Sequence, residues 1–180
     1  ISKKDITIAF DKKAASKGEW GHFMLKEIVE QKDSLARAIN QDDKAIKKIA
    51  QEIKKARGVF LSGCGTAGKV CMAAEYFFSV VSERHTNFAP SSEFPIYHDF
   101  LRPESLLVVV SQSGETADVV EAMKVAKLKK SKVLSLVNVF GSSVTRASDF
   151  SLLINAGPEK AVASTKAATS QLALLLLIVS

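Results

Sequence analysis

The apolar positions of the chain follow two rhythms in succession. Between residues 24 and 53 they recur at helical spacing: Met24, Ile28, Leu35 and Ile39 are four or seven apart, and Ile46, Ile49 and Ile53 share one face of a second segment. Those spacings predict amphipathic helices ahead of a sheet. Beyond them the pattern condenses into short apolar runs separated by longer amphipathic stretches. Runs at 58–61, 86–89, 106–110, 132–137 and 149–154 predict strands, while 66–83, 116–129 and the stretch from 167 onward predict helices. Leu106, Leu107, Val108, Val109 and Val110 are all apolar, as in a strand covered on both faces. Ser91, Ser92, Glu93 and Phe94 predict a brief helical turn before Pro95, and residues 6–10 a short β-like piece. Strands alternating with helices imply right-handed βαβ crossovers. The fold class is therefore α/β: a doubly wound, flavodoxin-like, five-stranded parallel sheet with helices on both faces. Ligands of such sheets sit at the carboxyl ends of the strands, near the topological switch.

The chemistry of the chain gathers at those ends. After the 106–110 run, Ser111, Gln112, Ser113 and Thr116 bring hydroxyls and an amide together, and Gly114 lets the backbone turn tightly. The helix that follows opens with free N–H groups and the positive end of its dipole, a setting that favours a phosphate. The loop has no Lys or Arg and lacks the Gly-Lys-Ser/Thr ending of a Walker A loop, so neutral donors would do the holding. The alternative reading gives Ser113 a helix-capping role. Gly63, Cys64, Gly65, Thr66, Ala67 and Gly68 fit GxGxxG after the first strand. With Glu93 roughly where a ribose-binding acid would lie, a nicotinamide-dependent enzyme stays open, although the Ser111 loop has no role in it. A third cluster, Val162, Ala163, Ser164, Thr165 and Lys166, opens the last helix, where Ser164 or Thr165 would cap and Lys166 would lie on the helix surface.

Composition narrows the class. With 24% charged and 47% hydrophobic residues the chain is neither disordered nor membrane-embedded, and its longest apolar run, 172–179, is far short of the ~20 residues of a spanning helix. The net charge of +6 resides in Lys-rich segments such as 44–55 and 124–132, which read as solvated helix faces. No aromatic interleaving accompanies them, so nucleic acid is not an expected partner. Cys64 and Cys71 form neither a CxxC nor a zinc framework, and they suit a reducing, cytoplasmic setting. No metal site is expected. The first residues lack the apolar core of a secretory signal, and a start at Ile1 with a stop inside a helix reads as a fragment. Residues 1–20 are assigned to a linker and 21–180 to the domain.

Together, Gly63-Cys64-Gly65-Thr66, the run Ser111-Gln112-Ser113-Gly114-Glu115-Thr116-Ala117-Asp118, and Ala161-Val162-Ala163-Ser164-Thr165-Lys166-Ala167 carry a specific resemblance. In that order and spacing they resemble the first sugar isomerase (SIS) domain of the glutamine:fructose-6-phosphate aminotransferase (isomerising) family. His22 to Ile28, Asn138 to Ser143 and Asn155 to Gly157 also match, so the resemblance covers about residues 20–180. It implies that Ser111, Gln112, Ser113 and Thr116 hold a sugar 6-phosphate. Thr66 and the backbone around Cys64 and Gly65 would contact sugar hydroxyls, with Val162 and Ser164 closing the other side. It implies a hexose 6-phosphate ligand, fructose 6-phosphate or glucosamine 6-phosphate, in amino-sugar biosynthesis, no redox cofactor, and a homodimer.

Ala67 stands where the family has Ser, which removes one hydroxyl contact. By the same resemblance, the isomerisation groups belong to a second SIS repeat and a far C-terminal Lys, and the ammonia source to a glutaminase domain. No catalytic residue is therefore expected within these 180 residues. Glu93, Glu115 and Glu159 read as capping or surface carboxylates, and Cys64 as a turn-lining thiol. Besides the nicotinamide reading, two alternatives remain: a stand-alone SIS phosphosugar-binding or regulatory module, and an SIS deglycase or isomerase.

Overall fold

The computed structural model describes residues 15–180, so the β-like piece expected at 6–10 lies outside the described residues. Five strands, β1 (Gly58–Gly63), β2 (Asn87–Pro90), β3 (Ser105–Ser111), β4 (Lys132–Val137) and β5 (Phe150–Leu153), form one sheet in the order β2-β1-β3-β4-β5. Every pairing is parallel. The chain winds one way from β1 to β2 and the other way from β3 to β5. The switch point accordingly lies between β1 and β3, where Gly63 registers with Val110.

Alternation along β3 shows why both faces are covered. Leu106, Val108 and Val110 belong to a core completed by α3 (Asp43–Lys55), α4 (Gly65–Ser82) and α7 (Lys166–Val179). Leu107 and Val109 face the opposite core, built with α5 (Ala117–Leu128), α6 (Ser143–Ala147) and a 3₁₀ segment at Phe94–Phe100. Each such side chain stabilises the fold by roughly 1.5–3 kcal/mol when fully buried. At the sheet edge, the Glu75 carboxylate accepts a hydrogen bond from Phe88 N at 2.6 Å, giving a partner to an N–H of β2.

The expected elements shift in several places. The first helical stretch divides at Glu30 into α1 (Phe23–Val29) and α2 (Gln31–Ile39). Its apolar periodicity does not mark the core: Met24, Ile28 and Ile39 are exposed, whereas Lys26 and Glu27 are buried. The turn before Pro95 instead becomes the 3₁₀ segment and takes Pro95 into its first turn, where a missing N–H does no harm. Strand β5 is shorter than 149–154, although Asp149 N still donates to Val133 O at 2.9 Å; the Asp149 carboxylate accepts from Val133 N at 2.7 Å and pairs with Lys127 at 2.5 Å. Helix α6 has no counterpart in the expectations; Ser142 starts it, its hydroxyl accepting from Thr145 N. No helix among the described residues is long and apolar enough to cross a membrane.

Candidate functional site

Ser111 ends β3 and is buried, with its Oγ accepting from Gly114 N at 3.0 Å. Two residues on, Ser113 Oγ accepts from Glu115 N at 3.2 Å. Each hydroxyl spends a lone pair on shaping the turn and keeps its hydrogen to donate. Ser113 thus braces the turn and does not cap the helix. The N-cap of α5 is Thr116, whose side chain makes no capping bond. The leading N–H groups of α5 are therefore left without a side-chain cap, beside hydroxyls that can donate.

Neighbouring segments clamp this loop. Gly114, at φ +68°, gives its carbonyl to Val144 N at 3.0 Å, and Gln112 O accepts from Asn138 N at 3.2 Å. The Glu115 carboxylate accepts from Ser143 N at 2.8 Å, and the hydrogen bonds from Ser143 hold its carboxyl below the usual carboxylate range. Glu115 therefore serves as a cap for α6.

At the end of β1 the glycine pattern has a packing cause. A Cβ on Gly63 would lie 2.9 Å from the Ala67 carbonyl carbon, and one on Gly68 would lie 3.0 Å from Gly63 O. Helix α4 can leave the strand this closely only because both residues lack a side chain. Cys64 Sγ donates to the Asp118 carboxylate at 3.8 Å. Burial, with the Asp118 charge adding to it, pushes the Cys64 thiol pKa up, which favours the protonated thiol over the thiolate.

The third loop hangs on carboxylates and on the early helices. Glu159 accepts from Ser164 Oγ at 3.0 Å, from Thr165 N at 2.9 Å and from Ala167 N at 3.1 Å, so it caps α7 in place of the expected Ser164 or Thr165. Buried Glu27 accepts from Lys160 N at 2.5 Å and Ala161 N at 3.1 Å. Arg37 donates to Asn155 O and Ala156 O, and Asn138 bridges Gly157 O and Ala156 N. Lys166 is not a surface residue. Its side chain is 2% exposed and its ammonium meets Glu30 at 2.5 Å, while Lys26 pairs with the same carboxylate at 3.0 Å.

These three loops enclose a cavity of about 210 Å³. Ser111, Gln112, Ser113 and Thr116 line one part of it; Cys64, Thr66, Val162 and Ser164 line the rest. Gly65 instead lines an adjoining cavity of about 370 Å³ that shares Cys64. Glu93 is exposed and lines neither. Gln171, which the sequence reading passed over inside the apolar run of α7, also lines the 210 Å³ cavity. The arrangement suits an anion that bears hydroxyls: uncharged donors surround the space, and the carboxylates Glu115 and Glu159 are committed to backbone N–H groups. Among the described residues, no group of His, Cys, Asp or Glu is placed to hold a metal ion.

Comparison with known proteins gives the same frame. The family model described as SIS domain matches residues 52–180. The glutamine–fructose-6-phosphate aminotransferase (isomerizing) of Caldanaerobacter subterraneus subsp. tengcongensis is 40% identical over 99% of this chain, and that of Pyrococcus horikoshii is likewise 40% identical over 99%. The chain spans only 31% and 30% of those two proteins. The solved C-terminal domain of glucosamine-fructose-6-phosphate aminotransferase from Francisella tularensis superposes with a TM-score of 0.80 at 34% identity, over 90% of this chain and 47% of that one. A parallel sheet in the order 2-1-3-4-5, a hydroxyl-lined cavity at its switch point and a family match over most of the length lead to one assignment: the chain belongs to the SIS domain family.

Proposed function

We propose that this chain, with its domain spanning 21–180, is the first sugar-phosphate-binding SIS domain of a glutamine:fructose-6-phosphate aminotransferase, and that its cavity binds fructose 6-phosphate or glucosamine 6-phosphate. The observation that carries this reading is the convergence of Ser111, Gln112, Ser113, Thr116, Cys64, Thr66, Val162 and Ser164 on one cavity from three distant segments. The 40% identity over 99% of the chain supports the particular enzyme. In this reading the 111–116 loop and the start of α5 hold the 6-phosphate. Thr66, Ser164 and the backbone at Cys64 and Gly65 meet the sugar. The proton shuttle of a ketose-to-aldose conversion needs a base within hydrogen-bond reach of the sugar carbons. With Glu115 and Glu159 engaged as caps, that base and the ammonia come from other parts of a longer polypeptide. The setting is cytoplasmic and the assembly a homodimer, with no redox cofactor invoked.

Thermal denaturation tests this directly. Fructose 6-phosphate should raise the Tm, and fructose at the same concentration should not. Ser113→Ala should weaken binding by about 2 kcal/mol, the loss of one donor to a charged group. Absence of a shift with every hexose 6-phosphate tried would refute the assignment.

A further inference from the structure

Gln171 lies in the second turn of α7, a helix that buries Ala167, Leu174, Leu175 and Ile178 in the core together with Lys166 and Ser170. It is 1% exposed, and its side-chain Oε1 is buried without a hydrogen-bond partner among the described residues. An unpaired buried amide is costly, and helix positions facing a core are ordinarily filled by apolar side chains. The same residue lines the cavity that holds the Ser111 loop and Ser164. The nearby serine hydroxyls do not pair with it: Ser164 donates to Glu159, while Ser111 and Ser113 accept within their own turn and keep their hydrogens for a ligand.

We infer that Gln171 is a sugar-contacting residue, its buried carbonyl oxygen accepting a hydrogen bond from a hydroxyl of the hexose whose phosphate sits on the 111–116 loop. This inference rests on the proposed sugar-phosphate site and adds to it a residue that selects for the sugar. The partner must be a hydroxyl, because the oxygen needs a donor and a phosphate near neutral pH presents chiefly acceptors. A sugar hydroxyl can both give and take, so it also satisfies the amide in its flipped orientation. Occupancy of the cavity by a polyol phosphate thereby gives the Gln171 oxygen a donor. Inorganic phosphate alone does not.

Gln171→Met tests this, since Met keeps the length and flexibility of the side chain while removing its polar atoms. Isothermal titration with fructose 6-phosphate and, separately, inorganic phosphate is the measurement, with the Tm of each ligand-free protein alongside. The variant should bind fructose 6-phosphate about fivefold more weakly, bind inorganic phosphate unchanged, and melt no lower than the parent. Equal fructose 6-phosphate affinity in parent and variant would overturn the role of Gln171 and leave the site standing. An equal loss for both ligands would overturn the hydroxyl assignment. A lower ligand-free Tm would mark a structural residue and overturn the inference as well. If the parent itself binds no hexose 6-phosphate, the proposed function falls first and this inference with it.

Discussion

Gly114→Ala is expected to destabilise the protein by about 3 kcal/mol, combining αL strain with overpacking, and to abolish the proposed hexose 6-phosphate binding. Gly114 sits at φ +68°, and a Cβ there would lie 2.1 Å from Ser142 Oγ and 2.7 Å from Val137 Cγ1. Neither neighbour can retreat easily. Val137 is a buried residue of β4, and Ser142 caps α6 through its hydroxyl. The loop itself would have to move, taking Ser113 and the start of α5 with it. Gly141→Ala supplies the comparison: φ is +71° there, but no heavy atom of the described residues lies within 4 Å of the added Cβ. Only backbone strain applies at that position, so the loss should be about 1 kcal/mol. Urea unfolding with unchanged m-values would resolve the two. Equal midpoints for both variants would show that the contact with Ser142 and Val137 is not what constrains the turn.

The second large effect is asymmetric across one ion pair. Glu30→Ala should cost about 3 kcal/mol, because it leaves the Lys166 ammonium buried without its carboxylate. Lys166→Met should cost much less, about 1 kcal/mol, since Glu30 keeps Lys26 and some solvent, while an apolar chain fills the buried space. The side-chain exposures, 2% for Lys166 and 30% for Glu30, decide the order. Acid titration adds a signature. Burial acts to raise the Glu30 pKa, but the hydrogen bonds and charges of Lys166 and Lys26 outweigh it and hold the carboxyl below its ordinary 4.5. A carboxylate depressed on folding contributes stability that is fully present above the unfolded value and lost as pH falls through the folded one. Stability of the parent should therefore decline below about pH 4.5 with a slope that Glu30→Gln reduces. Equal destabilisation by Glu30→Ala and Lys166→Met, followed by chemical denaturation, would contradict this account.

Sequence periodicity reveals what is decided locally. The unbroken run from Leu106 to Val110 predicts a central strand because both faces of that strand are covered, and they are. The clusters at Ser111 and Gly63 were legible because strand-end chemistry is written in consecutive residues. What stayed hidden depends on partners far along the chain. Lys166 looks like any helix-surface Lys until α1 brings Glu30 to it, and Glu27 looks solvated until the 160–161 backbone arrives. The apolar residues of α1 misled for the same reason. Its inward face carries Lys26 and Glu27 because each is compensated there, Lys26 by Glu30 one turn on and Glu27 by the N–H groups of Lys160 and Ala161. Gln171 was masked in another way, as one polar letter in a run of Leu and Ala.

The family match begins at residue 52, yet Glu27, Glu30 and Arg37 fasten the loop and helix that carry Val162, Ser164 and Lys166. A polypeptide cut back to residue 52 would retain all five strands and still lack the hooks for the third wall of its cavity. The unit that shapes the cavity is thus longer than the segment matched by the family model.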